Sequence, residues 1–250
     1  MVETSTKSGN IPAAHNPGGN GFSRIASPEQ LQALQDAMHF RTYPKGTRLF
    51  WEGEQAGKLF YIRSGRVKLI QSNAEGKDLI VSVLNPGDLI AELGGGEAKY
   101  GASAEVMSSA EIGVLDKEEL GSVIAEHPDL AVKLMDWVSL SQRAVQAKLK
   151  DLLMHGKAGA LASILIRLAN SCGIPEADGS VRIEWKLTNG ELGDMIGATR
   201  ESVNRMLGEW KAEGILEVVD GKLRILRLER LRTVSGCPTD VLCPSEICRL

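Results

Sequence analysis

The sequence predicts an α+β fold with three parts in series: an N-terminal antiparallel β-roll, a long dimerisation helix and a C-terminal winged helix-turn-helix. Three observations predict it. From Arg41 to about Leu115, short apolar runs (LFYI, VKLI, LIVSVL, AEV, EIGVL) alternate with turn signals such as KG, SGR, AEGKD and NPGD, the pattern of a compact antiparallel barrel or roll. Between Pro128 and His155 no Gly or Pro intervenes, and Leu130, Leu134, Trp137, Ser141, Val145, Leu149 and Leu152 recur every three or four residues. Finally, LTNGELGDMIGATRESVNRMLGEWKAEGILEVVDGKLRIL divides into two helical patterns joined at GAT and two strand patterns joined at DGK.

Taken in order, residues 1–22 are rich in Gly, Asn, Ser and Pro with little to bury, and are expected to form a flexible tail. The segment SPEQLQALQDAM opens with Ser27 as a cap and Pro28 in the first turn; Leu31, Leu34 and Met38 then give a short amphipathic helix. The roll is expected over residues 23–127. The helix over 128–155 is too long for one small core to cover, so its stripe is expected to pack on a second copy of itself, making a homodimer. The alternative is a helix laid along its own roll. Gly156 and Gly159 mark a hinge, after which ALASILIRLANSC is helical and GIPEADGS is a turn. The winged helix-turn-helix is expected over 156–232, and a cysteine-rich extension over 233–250.

Composition sets limits on partners. The 250 residues, 43% of them hydrophobic, suffice for two domains with their own cores. Lys and Arg number 29 against 32 Asp and Glu, a net charge of −3, so any nucleic-acid contact must be local. No apolar run approaches the roughly 20 residues of a membrane span, and the N-terminus lacks the apolar core of a secretory signal. A cytoplasmic protein with no membrane partner is expected. A phosphate-binding Gly loop, HExxH and GxSxG are all missing, which argues against an enzyme.

Thr188 and Asn189 can cap the first helix of the turn motif, Leu192 and Ile196 face inward, and Gly197 and Ala198 allow a tight turn. Val203, Met206, Leu207 and Trp210 then form the apolar face of the second helix. Arg200, Glu201, Ser202, Asn204 and Arg205 lie on its first turns, largely off that face, where a recognition helix carries its base contacts. Arg can donate two hydrogen bonds to guanine and Glu can accept from cytosine. The alternative is a solvated surface with a Glu201–Arg205 pair one turn apart.

Three of the four cysteines, Cys237, Cys243 and Cys248, fall in the last fourteen residues. In a reducing compartment, such thiols are metal ligands or redox-active groups more often than disulfides. Their spacing leaves an iron–sulfur cluster, a zinc knot, a thiol–disulfide switch and an incidental cluster all open, and a four-iron cluster needs one more ligand.

The order of parts, PGDLIAELG in the roll and ATRESVNRML in the second helix make the chain resemble the CRP/FNR superfamily of bacterial transcription regulators from about residue 28 onward. The resemblance implies a cyclic-nucleotide-binding-like roll and a dimer that binds double-stranded DNA and engages RNA polymerase. Arg200, Glu201 and Arg205 match the triad that reads palindromic TGTGA-type half-sites. In nucleotide-binding members an Arg meets the cyclic phosphate where Ala102 stands here, leaving Glu92 without a countercharge, so cyclic AMP is not expected as ligand. The CPSEIC ending, KDLLMHGKAGAL and ATRESVNRML are similar to Bacillus-type Fnr oxygen sensors. That similarity implies a 4Fe-4S cluster held by Cys237, Cys243, Cys248 and Asp151, with Cys172 and His155 as alternative fourth ligands, in an activator of anaerobic respiration genes. Five residues separate Cys237 from Cys243, a wider spacing than in those sensors.

Overall fold

The computed structural model describes residues 21–94, 97–237 and 248–249; Cys243 and the first twenty residues of the expected tail lie outside them. Residues 21 and 22 do not belong to a tail. A 3-10 turn, Gly21–Arg24, buries Phe22 completely against Leu34 and the start of the long helix. Helix α1 (Pro28–Asp36) begins at Ser27, whose hydroxyl accepts the Gln30 N–H at 3.2 Å while the Gln30 side chain accepts the Ser27 N–H at 2.9 Å. This reciprocal cap satisfies two backbone donors that a helix end leaves bare. Met38 falls past the end of α1 but is still buried.

The roll is a six-stranded antiparallel sheet. Its strands are β1 (His39–Tyr43), β2 (Arg48–Phe50), β3 (Lys58–Ser72), β4 (Asp78–Leu84), β5 (Leu89–Ile90) and β6 (Ser103–Asp116). The order is β1-β6-β3-β4, with β2 also on β6 and β5 on β3. Two of these strands are much longer than the sequence suggests: LFYI and VKLI fuse into the 15 residues of β3, and AEV and EIGVL into the 14 of β6. The SGR between the first pair is a bulge and not a turn. Register shifts between Ile62 and Val67, and Gly65, at φ +81°, lies so close to β6 that a Cβ there would come 2.6 Å from the Ala110 Cα. Only glycine fits, and the strand bends without ending.

Helix α2 (Lys117–Glu126) closes the roll, and α3 (Asp129–Cys172) follows as one 44-residue element. Both expected helices lie within α3, and the hinge between them is a single residue: Gly156, at φ 60° and ψ −169°, departs from helical geometry, whereas Gly159 stays helical. Gly159 is a packing glycine. A Cβ there would meet the Val234 carbonyl at 3.1 Å. The expected stripe divides between two environments. Leu130, Leu134 and Trp137 are buried against the roll of the same chain, while Val145 and Leu149 are 47% and 53% exposed, continuing to Leu153 and Met154 at 75% and 68%. By length and composition α3 could cross a bilayer, contrary to the sequence reading, but its most apolar window is 61% buried in this protein, as a core helix is.

Beyond α3 come β7 (Gly173–Pro175), β8 (Val181–Ile183), α4 (Asn189–Ile196), α5 (Arg200–Ala212), β9 (Leu216–Val219), β10 (Lys222–Ile225) and α6 (Leu228–Val234). The GIPEADGS segment is thus a hairpin, and its strands complete a second sheet, β7-β8-β10-β9. Helix α6 was not expected; Leu228, Leu231 and Val234 supply its inward spacing against α3. The core here gathers Leu161, Leu165 and Leu168 of α3 with Leu192, Val203, Ile215 and Ile225, and it also takes in Ile80, Val83 and Met107 from the roll. The two halves therefore share one apolar patch, α4 resting on β4.

Candidate nucleic-acid interface and cysteine site

The helix-turn-helix is positioned by caps. The Thr188 hydroxyl accepts the Glu191 N–H at 3.1 Å to start α4, and the Thr199 hydroxyl accepts the Ser202 N–H at 3.2 Å to start α5. Between them, Gly197 is left-handed at φ 61°, and Gly193 lies so near the turn that a Cβ would meet the Ala198 carbonyl at 2.5 Å. Val203, Met206, Leu207 and Trp210 bury one face of α5. Arg200, Glu201, Asn204 and Arg205 are exposed on the other, with Ser202 partly covered at its first turn. Among the described residues no ion pair joins Glu201 to Arg205, so their hydrogen-bonding groups stay available. Asn204 accepts from the Asn189 side chain at 3.2 Å, fixing α5 to the start of α4.

The β9–β10 hairpin turns through Asp220 and Gly221, at φ 52° and 74°, the two left-handed residues that a tight hairpin of this hand requires. Arg224 ties it to the neighbouring β7–β8 hairpin, with contacts of 2.8 Å to Glu217 and 2.6 Å to both Glu176 and Asp178. Those contacts help hold the Glu176 and Asp178 carboxyls below the usual range, after the hydrogen bonds from Arg182 to Glu176 and from Ser180 to Asp178. The wing is thereby a braced element beside α5.

The end of the tail, at Cys248 and Arg249, meets α3. Asp151 precedes the Gly156 joint by a little over a turn, and its Oδ2 accepts the Ser163 hydroxyl at 2.5 Å and an Arg167 N–H at 3.1 Å. Arg167, with a side chain only 5% exposed, also donates to the carbonyl of Arg249 at 3.4 Å, and Asn170 donates to the carbonyl of Cys248 at 2.7 Å. Thus one guanidinium holds both Asp151 and the end of the tail. Cys248 packs against the C-terminal core. Cys237 follows α6, and its neighbour Gly236, at φ 63°, lies against the His155 ring, 2.3 Å from Cε1 to a hypothetical Cβ. The structure thus links Asp151 to the Arg249 backbone through Arg167 and sets His155 against Gly236, next to Cys237, with Cys243 outside the described residues. Cys172 is different: its thiol donates to the Leu168 carbonyl at 3.3 Å, and burial pushes its pKa up, disfavouring a thiolate. Among the described residues no three His, Cys, Asp or Glu side chains converge as metal ligands.

The sequence reading missed Arg167, Ser163 and Asn170. Arg167 did leave a signal, as the lone charge in ALASILIRLANSC, since a buried guanidinium requires an acid. Between the roll and α3 lies a cavity of about 270 Å³ walled by Phe50, Leu84, Tyr100 and Trp137 and lined also by Asp88, Lys148 and Arg249. Ala102 lines it, as expected. Glu92 lines it too and is exposed, so water screens its charge and its missing countercharge weighs less than expected.

Compared with known proteins, residues 40–127 match the cyclic nucleotide-binding domain and residues 159–234 the Crp-like helix-turn-helix domain. The chain is 36% identical over 231 residues to the anaerobic regulatory protein of Bacillus subtilis, spanning 91% of this chain and 95% of that protein. It is 27% identical over 212 residues to a CRP-like cAMP-activated global transcriptional regulator of Mycobacterium tuberculosis, spanning 84% and 94%. Among solved structures, FixK2 from Bradyrhizobium japonicum superimposes with a TM-score of 0.70 at 20% identity, covering 79% of this chain and 96% of that one. A CooA mutant from Carboxydothermus hydrogenoformans gives 0.69 at 22% identity, covering 81% and 89%. At those identities the two structures speak to fold alone.

Proposed function

Since this chain belongs to the Crp/Fnr family of DNA-binding transcription regulators, whose members are typically dimers, we propose that it is an oxygen-responsive cytoplasmic activator governed by a 4Fe-4S cluster. One observation carries the reading. The tail segment bearing Cys248 is anchored on α3 by Asn170 and by Arg167, the residue that also holds Asp151. The donor set suits such a cluster: thiols at Cys237, Cys243 and Cys248, and a carboxylate at Asp151 whose two hydrogen bonds both fall on Oδ2, leaving Oδ1 without one among the described residues. His155, against Gly236, and Cys172, whose pKa burial pushes up, are the lesser candidates for the fourth position. When bound, the cluster supplies an oxygen-labile cross-link between the tail and α3.

The chain's own residues do the remaining work. Arg167 orients Asp151 and the tail together, and its positive charge offsets the negative charge of thiolate ligands nearby. Gly156 lets the two lengths of α3 change their angle. Arg200, Glu201 and Arg205 then meet TGTGA-type half-sites about one DNA turn apart in a dimer formed along the exposed stripe of α3. RNA polymerase is the partner of the activated complex. The functional units follow the partition into roll (23–127), dimerisation helix (128–155), winged helix-turn-helix (156–232) and cysteine-rich extension (233–250).

Protein purified without oxygen should be brown and carry about four irons and four sulfides per protomer. It should bind a TGTGA palindrome until exposed to air, and Cys248→Ser should lose both iron and air sensitivity. A colourless, iron-free or zinc-loaded protein that grips the same DNA equally before and after air would sink the reading.

A further inference from the structure

We propose that the buried Asp88 carboxylate, on the wall of the cavity between the β-roll and α3, is a site for an alkylguanidinium cation, occupied by the chain's own Arg249. The inference goes beyond the iron reading and does not depend on it, because it concerns a different end of the tail's contacts. Asp88 is 0% exposed, and its carboxylate has two partners. Oδ2 accepts the Asn85 N–H at 2.7 Å, and Oδ1 accepts Nη2 of Arg249, a residue 161 positions away. The Arg249 side chain is itself only 14% exposed. The carboxylate is roofed by Gly21 at φ +67°, where a Cβ would fall 1.8 Å from Oδ1, so any side chain at position 21 would displace the ion pair.

Chemistry identifies the occupant. The deepest charge in the cavity is an anion, and a buried carboxylate without a partner is among the most costly features a fold can hold. Burial pushes the Asp88 carboxyl up, and the adjacent guanidinium opposes that shift. The rest of the lining is aromatic and uncharged near Asp88, with Phe50 and Tyr100 stacked on each other at 3.7 Å between ring centres and Trp137 beside them, so Arg249 is the cation that meets the carboxylate. Lys148 and Glu92 also line the cavity, but neither pairs with Asp88. The backbone just before this side chain is held on the DNA-binding half by Arg167 and Asn170. Arg249 therefore straps the two halves together, and its release leaves the Asp88 carboxylate without its cation.

The test uses the full-length, metal-free protein. Arg249→Ala should lower the unfolding midpoint by roughly 6–12 °C. Roughly 10 mM N-ethylguanidinium should then restore about 3 °C in that variant and nothing in the parent, whose site is taken. Unchanged stability of the variant, or no recovery with the probe, overturns the proposal. Should Arg249→Ala fail to fold, trypsin decides, since it must take the same guanidinium to release Leu250. That cleavage should be about tenfold slower in the native parent than in Asp88→Asn, and equal rates overturn the proposal. Lack of iron in the protein would leave all of these readouts unaltered.

Discussion

The exposed face of α5 and the Arg167 node on α3 carry similar side chains to opposite ends. On α5, Arg200, Glu201 and Arg205 stand in water and pair with nothing among the described residues. On α3, Arg167 is buried and holds Asp151, Ser163 and the Arg249 carbonyl at once. A charged group in water keeps its hydrogen bonds for a partner yet to arrive, whereas a buried one has already used them to fix the chain on itself. The first arrangement can select a ligand, and the second can only hold or release a shape.

The sharpest way to break this contrast is Arg167→Ala. It leaves Asp151, whose side chain is only 15% exposed, without its cation and frees the tail, and should cost about 3 kcal/mol of stability in denaturant unfolding. The double variant with Asp151→Ala should cost clearly less than the sum of the two single changes; strict additivity would show that the pair is not a unit. Next in size is Gly156→Ala. Open space surrounds the glycine, so the about 1–3 kcal/mol expected would come from backbone strain alone. On the open face, Glu201→Ala should leave stability within ~0.5 kcal/mol while weakening preference for the matched base pair by about 1–3 kcal/mol in competition binding. A uniform loss on every sequence would place Glu201 with the structural residues.

The smallest effect concerns Lys148, whose ammonium donates to the Val81 carbonyl at 3.4 Å and feels the positive charge of Arg167. Burial first and that positive neighbour second push its pKa down to about 7. The folded state therefore binds fewer protons than the unfolded chain between pH about 7 and 10.5, so stability rises with pH across this window and is lost again as pH falls towards 7. The lysine as a whole is partly exposed, which limits the gain to about 1 kcal/mol by pH 9. Lys148→Met should flatten the slope in pH-dependent melting curves.

The two regions also differ in how readily sequence reveals them. The helix-turn-helix is written in local signals: Thr188 and Thr199 as caps, Gly197 at the turn, the Asp220–Gly221 hairpin, and apolar spacing through Trp210. Each acts within a few residues, so reading along the chain finds it. The strands of the roll were legible as strands but not in length, because Gly65 gives the same letter whether it ends a strand or bends one. The Arg167 node and the Asp88–Arg249 pair join residues 16 to 161 positions apart, and no periodicity encodes such partners. Asp151 was singled out only through family likeness, which gave no hint of the guanidinium beside it.

Ile80, Val83 and Met107 of the roll sit in the same dry cluster as Met195 and Ile196 of α4. Swinging the reading head away from its own sheet would wet that seam, and oily surface resists water in proportion to the area uncovered. Gly156 can thus loosen the axle, but the grip of one greasy flank on another sets how far the wheel turns.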